Sequence, residues 1–114
     1  MGRLTTHVLD TARGAPARGM RIELHREKDH KRLASAETNV DGRTNTALLE
    51  GSALTAGVYR LIFRVGEYFR SRKDPDAGRF LEDVPVVFVV DDPNGYYHVP
   101  LLVSPWSYST YRGS

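Results

Sequence analysis

The stretch Val58-Tyr59-Arg60-Leu61-Ile62-Phe63-Arg64-Val65 decides the fold class of this chain. Every second residue, beginning with the tyrosine, is large and apolar, whereas the residues between them are valine, arginine and isoleucine. A period of two places successive side chains on opposite faces of an extended strand. The stretch therefore predicts a central β-strand with one face in the core and one mixed face.

The same period recurs along the chain, interrupted by turn residues at regular spacing. We expect further strands at residues 4–10, 20–25, 32–38, 43–45, 84–90, 96–103 and 107–112. Only residues 66–72 favour a helix, and a short one. Many short strands in a single domain predict an all-β fold, an antiparallel β-sandwich.

Size and composition limit the function classes. The chain has 114 residues, which is about one domain, and we treat residues 1–114 as a single unit. It contains no cysteine, which excludes a disulfide scaffold, a thiolate nucleophile and a cysteine zinc site. Its 16 basic and 14 acidic residues are interspersed and lack interleaved aromatics, so we expect no nucleic-acid partner.

Membrane and export signals are missing from the pattern as well. No apolar run approaches the roughly 20 residues that a membrane-spanning helix needs, so we expect no membrane association. Strand sequence begins at Leu4, which leaves no room for a secretory signal, and we expect a cytoplasmic protein.

The strand predicted at residues 84–90, Val-Pro-Val-Val-Phe-Val-Val, is apolar on both faces. A strand with one solvated face would alternate with polar residues. We therefore expect one of its faces to meet the core and the other to meet a partner subunit.

Two histidines lie on predicted strands and face away from the predicted core. His7 alternates with Leu4, Thr6 and Val8, and His98 alternates with the apolar run that includes Tyr97. A strand histidine taken alone is more often structural than catalytic. A zinc site using both histidines and a third ligand is an open alternative, although no close-spaced ligand pair supports it.

The final residues, Tyr111-Arg112-Gly113-Ser114, follow directly on a predicted strand. An aromatic and cationic end of this kind is unlike the flexible tail usual at a terminus. We expect it to pack, which would bring Arg112 and the hydroxyl and carboxylate of Ser114 to one defined place.

Several motifs together resemble one family, the 5-hydroxyisourate hydrolases or transthyretin-related proteins. They are Leu4-Thr5-Thr6-His7-Val8-Leu9-Asp10, Asp41-Gly42-Arg43, Gly57-Val58-Tyr59-Arg60-Leu61, Tyr97-His98-Val99-Pro100-Leu101-Leu102 with Ser104-Pro105, and Tyr108-Ser109-Thr110-Tyr111-Arg112-Gly113-Ser114. The resemblance covers nearly the whole chain. The terminal tetrapeptide is its most specific part, because the hormone-binding transthyretins lack it and the histidine pair. Residues 72–83 depart from the family pattern in being longer and more charged.

The resemblance implies a transthyretin-like antiparallel β-sandwich of two four-stranded sheets with one short helix. It also implies a homotetramer, a dimer of dimers, with active sites in the channel between dimers. The implied reaction is hydrolytic ring opening of 5-hydroxyisourate to 2-oxo-4-hydroxy-4-carboxy-5-ureidoimidazoline in urate degradation. Water is the only co-substrate, so we expect no cofactor and no metal.

The resemblance assigns catalytic roles to His7, Arg43, His98 and Ser114. His98 is the expected base for water, oriented by Ser114, while His7 transfers a second proton or positions the substrate. Arg43 binds the substrate and stabilises negative charge. The implied substrate-binding residues are His7, Arg43, Tyr111, Arg112, Gly113 and Ser114. Histidine suits proton transfer near neutral pH, and arginine suits an oxyanion because it stays charged. Which histidine is base and which is acid stays open.

Two other readings remain open. The same sandwich could be a non-catalytic, transthyretin-like protein that binds a small ligand in its channel. It could also be a secreted, monomeric adhesion or carbohydrate-binding module, although that reading gives no reason for the ending at residues 111–114.

Overall fold

The computed structural model describes residues 1–113, so Ser114, which the sequence analysis assigned to the site, lies outside the described residues. Residues 1–113 form nine strands and one helix. The strands are β1 (Arg3–Asp10), β2 (Ala15–Pro16), β3 (Arg21–Arg26), β4 (Arg32–Glu37), β5 (Leu49–Glu50), β6 (Gly57–Phe63), β7 (Val84–Val90), β8 (Tyr96–Val103) and β9 (Tyr108–Thr110). The helix is α1 (Val65–Ser71), and a single 3₁₀ turn covers Gly51–Ala53.

Two sheets form the sandwich that the sequence predicts. The first has the order β2-β1-β8-β9, with β5 also paired to β1, and the second has the order β4-β3-β6-β7. β6 lies between β3 and β7, so the prediction of a central strand there is confirmed. The first sheet contains five strands rather than four because β2 and β5, of two residues each, share one edge of β1.

One pairing differs from the antiparallel expectation. β1 and β8 run parallel, in register from Arg3 opposite Tyr96 to Asp10 opposite Val103. Parallel neighbours need a long crossover connection. Here most of the chain, including the whole second sheet, forms that connection, because β1 and β8 come from opposite ends of the sequence.

The core is built from the faces that alternation predicts. On β1 the buried residues are Leu4, Thr6, Val8 and Asp10, and on β6 they are Tyr59, Leu61 and Phe63. On β8 the buried set includes Tyr97, Val99, Leu101 and Val103. Burial of these side chains supplies the main favourable free energy of folding, at about 1.5–3 kcal/mol for each large apolar side chain.

Helix α1 closes one end of the sandwich and is tied to β1 by a buried polar contact. Its Tyr68 and Phe69 are buried, and the Tyr68 hydroxyl donates to Oδ2 of Asp10 at 2.8 Å. Asp10 is itself completely buried, so this hydrogen bond satisfies a carboxylate that has left water. The helix begins at Val65, one residue before the predicted start.

The strand predicted at residues 43–45 is wrong. Arg43 makes only an isolated antiparallel bridge with His7, and the chain pairs again with β1 at β5. The strand predicted at residues 107–112 is shorter than expected and spans Tyr108–Thr110. After Arg43 the chain bends at Asn45 and Thr46, and after Thr110 residues 111–112 lie outside the ladder before Gly113 forms a bridge with His98.

β7 is an edge strand with apolar residues on both faces. Val84, Val86 and Val90 are buried, whereas Val87 and Val89 are 49% and 60% exposed. The expectation that a partner subunit covers the outer face stays a prediction. Within residues 1–113, no helix has the length and apolar character to cross a membrane.

Candidate active site

The parallel pair of β1 and β8 positions both histidines. Thr5 lies opposite His98, and His7 lies opposite Pro100. Since the neighbours of each histidine along its strand are buried in the core, both imidazoles lie on the outer face of the first sheet and are half-buried. The prediction that both histidines face away from the core is confirmed.

His98 is held from two sides. The Thr5 hydroxyl lies 2.8 Å from Nδ1 of the His98 ring. On the other flank the backbone N–H of Gly113 donates to the His98 carbonyl at 2.7 Å. A Cβ added at Gly113 would lie 2.6 Å from Cδ2 of the ring, so glycine is the residue that permits this approach. The structure therefore brings the terminal stretch to His98 through Gly113.

Arg43 reaches the same face through a tight turn. Gly42 has a φ of +75°, and its carbonyl accepts the backbone N–H of Val8 at 2.8 Å. Arg43 then pairs with His7 as an antiparallel bridge, and residues directly opposite in such a pair project to the same face of the sheet. Asn39 stabilises the turn, since its Oδ1 accepts the backbone N–H groups of Asp41 and Arg43.

The ring of His7 is anchored by the same turn. Its Nε2 lies 2.9 Å from the carbonyl oxygen of Asp41. A carbonyl oxygen can only accept, so Nε2 of His7 carries the proton of this hydrogen bond. The nitrogen of neutral His7 that remains basic is therefore Nδ1.

The electrostatics of the site favour a neutral His98. Burial lowers the pKa of His98 below its ordinary value of 6.5, and the positive charges of Arg43 and of protonated His7 lower it further. Near neutral pH the ring is therefore unprotonated, which is the state that a general base requires.

A cleft of about 420 Å³ opens beside these groups. Its walls are Arg3, Thr5, Thr6, Arg43, Thr44, Asn45, Thr46, Ala47, Tyr96, Tyr97 and His98. Thr5, Arg3 and residues 44–47 were not predicted as site residues from the sequence. Alternation alone puts Thr5 on the outer face with His7, but its contact with His98 depends on the register of two distant strands.

Tyr111 and Arg112 do not line this cleft. They line a second groove of about 220 Å³, together with residues 86–89 on the edge of the other sheet. The Arg112 guanidinium lies 4.4 Å from the centre of the Tyr97 ring, a cation–π contact, and donates to the carbonyl of Tyr96. Within one chain, the structure brings together His7, Arg43, His98 and Gly113 but does not bring Tyr111 and Arg112 into the same cleft.

The cleft is lined by the imidazole of His98 and the guanidinium of Arg43, whereas His7 does not line it and lies opposite Arg43 at the bridge. That set can move protons and bind a developing negative charge, as hydrolysis of an amide-type bond requires. Across residues 1–113 no group of three or more histidine, aspartate or glutamate side chains is arranged to hold a metal ion.

Comparison with known proteins gives a consistent set of relatives. The family model described as the HIUase/Transthyretin family matches residues 4–113. A 5-hydroxyisourate hydrolase 2 of Rhizobium meliloti is 54% identical over 99% of this chain and 97% of its own length. The solved 5-hydroxyisourate hydrolase of Klebsiella pneumoniae is 34% identical, with a TM-score of 0.84 and full coverage of both chains. An (S)-allantoin synthase structure is 48% identical, with a TM-score of 0.93, over 99% of this chain but only 44% of its own chain.

Proposed function

Because the chain belongs to the HIUase/Transthyretin family, we propose that it is a 5-hydroxyisourate hydrolase. The enzyme opens a ring of 5-hydroxyisourate by adding water across a cyclic amide C–N bond. The product is 2-oxo-4-hydroxy-4-carboxy-5-ureidoimidazoline, and the reaction belongs to urate degradation.

One observation supports this function most directly. His98 and Arg43 line one polar cleft, and Arg43 is paired across the sheet edge with His7. A cleft that only held an apolar ligand would gain nothing from the imidazole of His98 and the guanidinium of Arg43 in its wall. Hydrolysis needs those groups, since a proton must leave the attacking water and another must reach the departing nitrogen.

The roles we propose follow the chemistry of the bond that breaks. His98 takes a proton from water, whose oxygen attacks the ring carbonyl carbon. Arg43 binds the substrate and stabilises the negative charge that develops on the carbonyl oxygen. In its imidazolium form His7 delivers the proton of Nδ1 to the ring nitrogen as the C–N bond breaks, and solvent returns a proton to His7 while His98 releases the one that it took. Alternatively, His7 positions the substrate for that step. Ser114 orients His98 through its hydroxyl.

We further propose that Tyr111, Arg112, Gly113 and Ser114 form a wall of the substrate pocket in the assembled enzyme. The contact between Gly113 and the His98 ring supports this role for the terminal stretch. Water is the only co-substrate, so the proposal includes no cofactor and no metal.

A homotetramer, arranged as a dimer of dimers, is the assembly we propose. The exposed valines Val87 and Val89 on the edge strand β7 support a subunit contact, because monomers rarely expose such apolar edges. The outer-face location of His7 and His98 supports a site sheltered by a second subunit. On a sizing column the tetramer elutes at about four times the 12.8 kDa mass of one chain; elution at the mass of a single chain would contradict it.

Two further proposals concern the domain organisation and the cellular location of the protein. Residues 1–114 form a single domain, supported by one continuous core between the two sheets. The protein acts in the cytoplasm, which cell fractionation against a cytoplasmic marker would test.

The experiment that tests the function generates 5-hydroxyisourate in situ with a urate oxidase and follows its ultraviolet decay. The intact protein should accelerate the decay, and His98→Asn should lower kcat by about 10²-fold or more, the scale of general base catalysis. His30→Asn is the matched control, since His30 is an exposed loop residue with a φ of 57° that asparagine tolerates. Equal activity of the two variants would remove His98 from the mechanism.

The alternative function is a transthyretin-like protein that binds a small ligand without turning it over. The Arg43 and His98 side chains in the wall of the cleft argue against it. If the intact, correctly assembled protein bound an aromatic ligand tightly and left the decay of 5-hydroxyisourate unchanged, the alternative would replace the hydrolase.

A further inference from the structure

Thr5 stands next to His98 by virtue of strand register. The two residues are 93 positions apart in sequence but directly opposite in the parallel pair of β1 and β8. Both belong to the outer face, and both line the cleft of about 420 Å³. The hydroxyl is therefore a neighbour of the imidazole in the place where the reaction occurs.

The contact involves only one of the two ring nitrogens. Oγ1 of Thr5 lies 2.8 Å from Nδ1 of His98, which is hydrogen-bond distance. A neutral imidazole carries one proton, and the partner of one nitrogen decides whether the other nitrogen is an acceptor or a donor. The group beside Nδ1 therefore determines whether Nε2 of His98 can accept a proton.

A threonine hydroxyl could either accept from Nδ1 or donate to it. If it donated, Nε2 would carry the proton and His98 could not take one from water through that nitrogen. If it accepts, Nδ1 keeps its proton both in the neutral ring and in the imidazolium formed after proton transfer. The accepting arrangement alone leaves this hydrogen bond unchanged throughout the reaction, and the Thr5 proton can then point into the cleft that Thr5 lines.

The charge of the group that hydrogen-bonds to Nδ1 also affects the protonation state of the His98 ring. A carboxylate beside Nδ1 would hold the ring strongly in its charged form, whereas a neutral hydroxyl orients the ring without adding negative charge. Burial and the nearby Arg43 already favour the neutral ring. Thr5 thus supplies orientation without opposing the neutral state that a base requires.

We propose that Thr5 is the positioning residue of His98: its Oγ1 accepts the Nδ1–H of the imidazole and leaves Nε2 as the nitrogen that takes the proton from water. His7 is held in the opposite tautomer, because the Asp41 carbonyl fixes the proton of His7 on Nε2. The two histidines therefore present different nitrogens to the reaction. This inference rests on the proposed function for its catalytic part, but the tautomer of His98 is independent of it.

Two substitutions separate the hydroxyl from the packing of Thr5. Thr5→Val keeps the shape and removes the hydroxyl, and we expect kcat to fall by about 10- to 100-fold, the range for a hydrogen bond to a charged partner. Thr5→Ser retains the hydroxyl and should recover most of the rate. KM should change little in both, because the hydroxyl acts on His98 and not on binding. Thr11→Val makes the same chemical change at an exposed position and should leave kcat unchanged.

Ring-nitrogen NMR of labelled histidine reads the tautomer without any turnover. At a pH well above 6.5 the intact protein should show His98 protonated on Nδ1, with the resonance assigned by its loss in His98→Asn. A His98 protonated on Nε2 overturns the proposal, and so does a Thr5→Val variant that turns over like the intact enzyme. If the intact protein proved inactive, the proposed function would fail, and the NMR result would still decide the role of Thr5. If Thr5→Val failed to fold, the tautomer of the intact protein and the rate of Thr5→Ser would decide it.

Discussion

Arg43 lies directly opposite His7 at an isolated antiparallel bridge on one edge of β1. Three separate pieces of chain share that edge: β5 pairs near the start of β1, Arg43 in the middle and β2 at the end. A full-length strand there would have placed a continuous ladder beside His7. The short pieces instead let a turn deliver one arginine to the cleft.

The turn before Arg43 depends on Gly42. Gly42→Ala would force an L-residue to a φ of +75° and place its Cβ 2.4 Å from the backbone oxygen of Val8. We expect the free energy of unfolding to fall by about 1–3 kcal/mol and kcat/KM to fall with it, because Arg43 moves. Chemical denaturation and the decay assay measure both.

Gly14 provides the matched control for Gly42. It has a φ of +67°, but a Cβ there meets no atom within 4 Å. Gly14→Ala should therefore cost only the conformational part, about 1–2 kcal/mol, and should retain full kcat/KM in folded protein. Equal effects of both substitutions on kcat/KM would show that the turn does not position Arg43.

Arg43→Lys tests the need for a guanidinium rather than a charge. Lysine keeps the positive charge but loses the planar fork that can bind an oxyanion or amide carbonyl through two donors. We expect kcat/KM to fall by about 10²-fold, the scale for loss of one oxyanion donor. Steady-state kinetics measures this loss, and a variant within a few-fold of the intact enzyme would reduce the role of Arg43 to charge alone.

The pH profile should report His98. Because burial and the charges of Arg43 and His7 lower its pKa below 6.5, His98 is neutral and active at neutral pH. As the pH falls through this lowered pKa, His98 becomes protonated and kcat/KM should decline. Arg43→Gln removes one of the lowering charges, so the acid limb of the residual activity should move to higher pH. An unmoved limb would assign the titration to another group.

The buried contact between Tyr68 and Asp10 should act on stability without affecting chemistry. Tyr68→Phe removes the donor to Oδ2 and leaves a buried carboxylate with one fewer partner. We expect the free energy of unfolding to fall by about 1–3 kcal/mol, with kcat of the folded enzyme unchanged. Urea unfolding at one fixed protein concentration measures it, since subunit assembly adds to apparent stability. Tyr108→Phe, at an exposed tyrosine, should change little.

The sequence predicted the two-sheet sandwich, the central strand beginning near residue 58 and the outward direction of His7 and His98. These features follow from a period of two, which any single strand displays. The predicted end of that strand at residue 65 was wrong, since β6 ends at Phe63 and Val65 begins α1. Periodicity carries no information on strand direction, so the parallel pairing of β1 with β8 was not predictable from it.

The site was predictable only in part, because periodicity also carries no information on which strands pair or in which register. The motif resemblance indicated His7, Arg43 and His98, but the contact between Thr5 and His98 depends on register between strands at opposite ends of the chain. The single bridge at Arg43 was missed because residues 43–45 look extended, whereas the chain bends at Asn45 and Thr46 directly after the bridge.

The most direct test of the account compares two proteins in the ultraviolet decay of 5-hydroxyisourate: the intact chain and a chain truncated after Thr110, each sized on a column first. We predict fast decay with the intact chain and slow decay with the truncated one, because the truncation removes Gly113 from the His98 ring along with the rest of the terminal tetrapeptide. If a correctly assembled intact chain failed to accelerate the decay, the protein would not be the hydrolase described.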